Sequence, residues 1–383
     1  MSQRRPPIKV LLSAGMIQGG RSGVGRYVIA LAEELQRSSD IDLYIAGLAD
    51  DRVHFPFTDI EHWLTIPSWA ARGPANLIWH QVMLPGLLRK GGYDILHIPS
   101  YRRMLARCPI PQVATIHDCA PFVLKNKYDF FRSFFGTRIV PAIARGVDRI
   151  LAVSQTTADD IAHYMQVDPA KITVTPNGID HERFCPPSQE RLRAFKEKHR
   201  LARPYLVYIS RLEHPAKNHV RLMEAFARFR KESGCDWELI LGGAPWHGHE
   251  VIEQAHRESP CREHIRMAGF IDEGELPCWY AASQALVFPS LMEGFGFPVI
   301  EAQACGTLAA VADATSLREV AGPAAVRFDP LSIESMTEAL LELSRIPARE
   351  RETRLEAARA WADQYRWSHV ATACETVYRE LSS

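Results

Sequence analysis

Two doubly wound α/β domains in series are what this sequence predicts, and three observations predict them. Short apolar runs alternate with helical patterns from end to end, as in a mainly parallel sheet covered on both faces. Pro and Gly punctuate Thr175-Pro176-Asn177-Gly178-Ile179-Asp180 and Pro186-Pro187, and the alternation restarts afterwards. At 383 residues the chain is too long for one ordinary core, whereas two domains of roughly 150–200 residues suit it.

The elements follow in order. Ile8–Leu12, Leu43–Ala46, Ile95–Ile98, Val113–Ile116, Ile150–Val153 and Ile172–Val174 read as buried strands, with helical stretches such as Val24–Gln36 and Thr156–Met165 between them. After the break, Tyr205–Ile209, Glu238–Leu241, Ile265–Met267, Ala285–Phe288, Leu308–Val311 and Ala325–Phe328 are strands. Arg221–Lys231 and Pro298–Ala304 are helices among them, and the chain is helical from Ile333 on. The expected boundaries are 1–180 and 181–363, with a final helix over 364–383. The two sheets are expected to face a cleft. Ligands of such sheets bind outside the carboxyl ends of the strands, so the loops after strands carry the chemistry.

Composition removes several classes. Hydrophobic residues make up 46% and charged residues 23%, as in a globular protein. Lys plus Arg equals Asp plus Glu at 45 each, without the basic excess of a nucleic-acid binder. No apolar run is long enough to span a membrane, and Ile8–Leu12 is too short for a signal peptide. Eight cysteines at irregular spacing form no Cys-x-x-Cys pair, which reads as reduced, mostly buried thiols in a cytoplasmic protein. Asp40-Ile41-Asp42 spells a metal-binding Asp-x-Asp, but it lies before a strand, so no metal is expected there.

The most informative segment follows the strand Ala285–Phe288: Glu293-Gly294-Phe295-Gly296-Phe297-Pro298-Val299-Ile300-Glu301-Ala302. Its glycines let backbone approach a ligand. Pro298 suits a first helical turn, and a helix N-terminus favours an anion. Carboxylates accept hydrogen bonds from the vicinal hydroxyls of a sugar or ribose. The bland alternative is a Gly-Pro turn with two solvated acids. Glu-Gly-Phe-Gly-x-Pro-x-x-Glu-Ala resembles the signature of retaining glycosyltransferases with the GT-B fold, in particular glycosyltransferase family 4. The resemblance implies transfer of a sugar from a nucleotide-sugar donor. It places Glu293 against the donor sugar, Glu301 on the ribose hydroxyls, and the loop Gly294, Phe295, Gly296 and Phe297 at sugar and phosphates. It also implies a donor domain in the second half, an acceptor-side first half and a last helix that returns to it. Tyr365-Arg366-Trp367-Ser368 is similar to the family's aromatic-x-Trp before that helix.

Three further segments support the likeness. Ser210-Arg211-Leu212-Glu213-His214-Pro215-Ala216-Lys217-Asn218 follows a strand, and two fixed cations there can stabilise a departing diphosphate without metal. The resemblance gives that role to Arg211 and Lys217. The rival reading is two solvated surface cations. Gly19-Gly20-Arg21-Ser22-Gly23-Val24-Gly25-Arg26 lies between the first strand and first helix. It lacks the third glycine of a dinucleotide fingerprint, and Ala46-Gly47 offers no ribose acid, which disfavours a nicotinamide enzyme. The family's donor and acceptor loop has its match at Gly23. Thr115-Ile116-His117-Asp118 is similar to the family's His-Asp at the donor sugar, which makes His117 a sugar-contacting residue.

Phe270 and Ile271, in Ala268-Gly269-Phe270-Ile271, are candidates for contact with the base. Gly242-Gly243 are candidates for lying near the nucleotide, while Ser154 and Asn177-Gly178 read as hinge. Lys125–Arg149 interleaves six Lys/Arg with four Phe. It reads either as a solvated amphipathic helix or as a peripheral contact with the inner membrane face. The function expected is metal-independent, retaining hexosyl transfer to a glycan or lipid-linked acceptor in bacterial polysaccharide or lipopolysaccharide synthesis, with GDP-mannose favoured, GDP or UDP as product and no cofactor. A UDP-glucose or other UDP-hexose transferase, an epimerase, and a catalytically silent sugar-nucleotide-binding scaffold are the rivals.

Overall fold

The structure is a computed structural model that describes residues 6–17, 19–20, 22–71, 73–123 and 133–382. Its contacts divide the chain into two units, Met1–Gly178 with Arg366–Ser383, and Ile179–Tyr365. Each unit is built on one parallel sheet.

The first sheet has β1 (Ile8–Ser13), β2 (Ile41–Leu48), β3 (Trp63–Ile66), β4 (Ile95–Ile98), β5 (Gln112–Ile116), β6 (Arg149–Ala152) and β7 (Ile172–Val174) in the order β3-β2-β1-β4-β5-β6-β7. The second has β8 (Tyr205–Ile209), β9 (Glu238–Gly242), β10 (Ile265–Gly269), β11 (Ala285–Phe288), β12 (Ala309–Ala312) and β13 (Val326–Phe328) in the order β10-β9-β8-β11-β12-β13. Both orders reverse direction beside the first strand of the unit. That is the arrangement of a Rossmann-like fold, with its switch point at the carboxyl ends of β1 and β8. The central strands are buried throughout, Ile95–Ile98 and Ala285–Phe288 among them. This is why they appear in the sequence as unbroken apolar runs.

Three strands depart from the sequence expectation by more than one residue, and the first of them, β10, runs on past Met267 to Gly269. β3 was not anticipated: it is a four-residue edge strand whose two middle residues are partly or fully exposed, so it has no apolar run. β2 begins at Ile41 rather than Leu43, because Asp42 and Tyr44 occupy its less buried face. Asp42 therefore lies inside a strand, where His62 Nε2 sits 3.0 Å from its Oδ1 and the Tyr44 hydroxyl donates to it. Asp40 pairs with Arg379.

The last helix, Trp367–Leu381, packs in the first unit. Its apolar stripe (Val370, Ala371, Cys374, Val377 and Tyr378) joins the core of Tyr27, Leu31 and Leu35 from the helix Gly23–Gln36. A buried polar chain ties it to the sheet: the Tyr378 hydroxyl lies 2.6 Å from His97 Nδ1, His97 Nε2 lies 2.8 Å from Thr115 Oγ1, and Thr115 meets the Tyr27 hydroxyl at 2.9 Å. Buried polar groups cost free energy unless paired, so this chain specifies where the helix docks. The entering and returning segments run side by side. A Cβ on Gly178 would sit 2.3 Å from the Trp367 amide nitrogen.

All eight cysteines are free, but Cys119, Cys278, Cys305 and Cys374 alone are buried, while Cys185 is exposed. The expectation of mostly buried thiols is corrected to that extent. Of the basic aromatic stretch, residues 124–132 lie outside the described residues, Lys125 and Lys127 with them. Beyond them Phe135 packs on the core of the first unit, whereas Phe134 is 51% exposed. No helix among the described residues is long and apolar enough to cross a membrane.

Candidate active site

In the second unit the loops after β8 and β11 converge. Leu291 N–H donates to the Ala216 carbonyl (2.9 Å), and the Asn218 amide donates to the carbonyls of Pro289 (3.1 Å) and Pro330 (2.7 Å). Asn218 is buried with φ 58°, a left-handed conformation that Asn tolerates. Lys217 and Glu293 meet on this frame. Lys217 Nζ lies 2.5 Å from Glu293 Oε1, and the two side chains are 15% and 17% exposed.

The Glu293 loop is clamped from the far side. Thr315 Oγ1 accepts from Glu293 N–H at 3.2 Å, and Ser316 Oγ donates to the carbonyls of Glu293 (2.9 Å) and Phe295 (3.0 Å). Gly296 caps the helix Phe297–Ala304 at φ 107°. Glu301, in the second turn of that helix, is 2% exposed and accepts from the Tyr280 hydroxyl at 3.2 Å. Gly294 lies within the clamped loop. Phe295 is buried, its ring 5.2 Å from that of Phe297.

Arg211 stands at the carboxyl end of β8 with its side chain half exposed, 3.3 Å from the buried Glu213 carboxylate. Its guanidinium lies 4.9 Å over the Trp246 ring, which holds it by a cation–π contact. The loop after β9 supplies this ring. Gly243, at φ 148°, allows the close approach there: a Cβ on it would lie 1.8 Å from the Ser210 carbonyl oxygen. Gly243→Ala is therefore expected to cost about 2–4 kcal/mol through overpacking and backbone strain. It would also displace Arg211; a thermal melt and a donor titration check both. Phe270 is 73% exposed, whereas Ile271 is buried against Gly242.

Gly23 and His117 belong to the first unit. Gly23 opens the helix Gly23–Gln36, whose N-cap Ser22 Oγ accepts from Gly25 N–H at 2.9 Å. Gly25 is the tighter position: a Cβ there would lie 2.6 Å from the Ile17 carbonyl oxygen. Arg21 lies outside the described residues. His117 follows β5, with Nε2 3.2 Å from the Pro99 carbonyl and its ring edge-on to Tyr27 at 4.9 Å. Burial pushes its pKa down to about 4, so the ring is neutral at pH 7. Donation from Nε2–H to Pro99 leaves Nδ1 as an acceptor for a hydroxyl.

Sequence reasoning missed Trp246, Tyr280, Thr315 and Ser316. None stands in a motif, and they reach the loops only through the fold. Gly242-Gly243 was the one sequence signal near Trp246.

The family model for glycosyltransferase family 4 matches residues 21–183, and that for glycosyl transferases group 1 matches 189–361. The chain belongs to glycosyltransferase family 4. It is 27% identical to O-antigen chain mannosyltransferase B of Escherichia coli, over 98% of this chain and all of that one. It is 24% identical to O-antigen chain mannosyltransferase RfbU of Salmonella typhimurium, over 86% of this chain and 89% of that one. HepE of Anabaena, solved in complex with UDP-glucose, shares the fold at TM-score 0.76 and 16% identity, covering 98% of this chain and all of that one. The protein is thus a glycosyltransferase with two Rossmann-like domains of the GT-B class. In this glycosyltransferase the second unit presents the Lys217–Glu293 pair, Arg211 and the buried Glu301 on the loop after β8, the loop after β11 and the helix that follows it.

Proposed function

We propose that the protein transfers mannose from GDP-mannose, with retention of configuration, to a glycan or lipid-linked acceptor in bacterial polysaccharide or lipopolysaccharide synthesis. The observation that carries the reading is the Lys217–Glu293 pair on converging strand-end loops, in a chain whose relatives named above are O-antigen mannosyltransferases. Lys217 and Arg211 take the diphosphate and stabilise the charge that grows on it as the sugar leaves. Glu293 meets the sugar hydroxyls, and Glu301 receives the ribose. Gly294, Phe295, Gly296 and Phe297 contact sugar and phosphates, Gly23 approaches the diphosphate, and Phe270 and Ile271 border the base. His117 accepts a hydroxyl at Nδ1. The reading assigns no metal and no cofactor. It places the enzyme in the cytoplasm, where the half-exposed Phe134 and the exposed Arg138 offer a peripheral contact with the inner membrane face.

The donor is tested by thermal shift against GDP-, UDP- and ADP-sugars. GDP-mannose at a hundred times its Kd is expected to stabilise the protein by about 2.7 kcal/mol. A shift with UDP-glucose alone would replace the donor, and no shift with any would leave a scaffold.

A further inference from the structure

We propose that Glu213 is a positioning residue that acts through Arg211, and that its buried negative charge weakens the grip on the released nucleoside diphosphate and so speeds product release. The inference rests on the glycosyl-transfer reading above, in which Arg211 and Lys217 take the diphosphate. It adds the step that follows the chemistry.

Glu213 lies between the two cations in the loop after β8. Its side chain is 2% exposed, whereas that of Arg211 is 53% exposed, with Nη2 3.3 Å from the Glu213 carboxylate. Its carbonyl accepts from the Lys217 N–H at 3.2 Å. Backbone bonds to the loop after β9 fix this stretch. Leu212 N–H donates to the Ala244 carbonyl (3.0 Å), Trp246 N–H to the Leu212 carbonyl (3.1 Å), and His214 N–H to the His247 carbonyl (3.0 Å). The carboxylate is thus fixed inside the loop, beside a guanidinium that reaches solvent.

An acid at this position is unfavourable on two counts. Burial strips a carboxylate of its hydration, and its charge repels the anion that the two cations attract. The other acid of the site differs. Glu293 is 17% exposed and pairs with Lys217, and in the reading above it meets the sugar hydroxyls. Glu213 is closed off from solvent, so its charge stays beside Arg211 whether donor or product is bound.

That charge distinguishes the two ligands. In a nucleotide-sugar both phosphates are esterified. Once the sugar leaves, the terminal phosphate ionises a second time, with a pKa of about 6 for a phosphate monoester. The product therefore carries more negative charge than the donor, and a fixed carboxylate disfavours it more. Trp246 holds the same guanidinium through its ring, without a charge. The two supports of Arg211 are therefore separable by mutation.

The test is calorimetric titration of the full chain with GDP and with GDP-mannose, together with stopped-flow dissociation of GDP. Glu213→Gln is expected to tighten GDP about tenfold, to tighten GDP-mannose less, and to slow GDP dissociation in proportion. Glu213→Leu, an apolar replacement of similar size, removes the same charge and gives the same result should the amide variant be unstable. Glu213→Asp retains the charge and the wild-type ratio of the two affinities. Trp246→Leu loosens Arg211 without changing the charge, and is expected to weaken GDP. A purely structural role for Glu213 predicts a lower melting temperature and weaker binding of both ligands in Glu213→Gln. That outcome, unchanged GDP affinity, or equal tightening of both ligands would overturn the proposal and leave the donor reading intact. If UDP and UDP-glucose bind in place of the guanosine pair, the same comparison is made with them. If no nucleoside diphosphate binds the wild type, the donor reading falls and this inference with it.

Discussion

Lys217→Ala is expected to slow sugar transfer by about two to three orders of magnitude, the usual loss when one preorganised group is removed from a developing anion. The effect should fall on kcat more than on the KM for the donor, because the diphosphate gains charge as the sugar departs. The geometry supports this size of effect. Lys217 is largely buried, fixed at its own backbone by the Tyr208 hydroxyl on its carbonyl (2.8 Å), and already oriented by Glu293. Little reorganisation is needed when a donor arrives. Glu293→Gln separates two roles for the acid. If Glu293 only orients Lys217, the amide retains much of the rate; if it accepts from sugar hydroxyls, donor KM rises as well. Circular dichroism of each variant guards against loss of fold, since stranding one member of a half-buried pair costs about 1–3 kcal/mol. An unchanged kcat in Lys217→Ala would remove the lysine from the chemistry.

Acid should unfold the first unit before the second. His97 and His80 are fully buried, with pKa pushed down to about 3 and about 4, and His117 is down to about 4. The unfolded chain binds protons at these histidines near the ordinary value of 6.5. Their stabilisation is complete above that pH and is lost as pH falls from 6.5 toward 4. At pH 5 His97 and His80 each remove about 2 kcal/mol, and His117 acts in the same direction. Against them, Asp51 and Asp160 in the same unit have carboxyl groups raised by burial and favour the fold as they protonate. In the second unit His219 is the one fully comparable ring, down to about 3. Calorimetry from pH 7.5 to 5 should show one transition moving down ahead of the other. His97→Gln should reduce that slope. A first transition that stays level across this range would refute the assignment.

Much of the fold is legible in the residues because parallel strands buried on both faces must be apolar throughout. Ile95–Ile98 and Ala285–Phe288 announce themselves for that reason. β3 does not, since an edge strand with one partly buried and one exposed position carries no such buried run. The loop Glu293–Pro298 is equally plain, because turn glycines and a first-turn proline leave a fixed spacing. Its partners are not. Lys217 is 76 residues away in sequence from Glu293, and no local pattern says which cation a carboxylate will meet.

By itself the sequence determined the alternation of strands and helices, the break near Gly178, and the glycosyltransferase family. These depend on local geometry and short-range burial, which residue type and spacing encode directly. Only the tertiary structure decided that Trp246 lies under Arg211, that Ser316 clamps the Glu293 loop, and that Tyr378 closes a polar chain to Tyr27. Each is a meeting of segments distant along the chain. Its energy depends on desolvation and on orientation, which appear only once the backbone has brought the groups together.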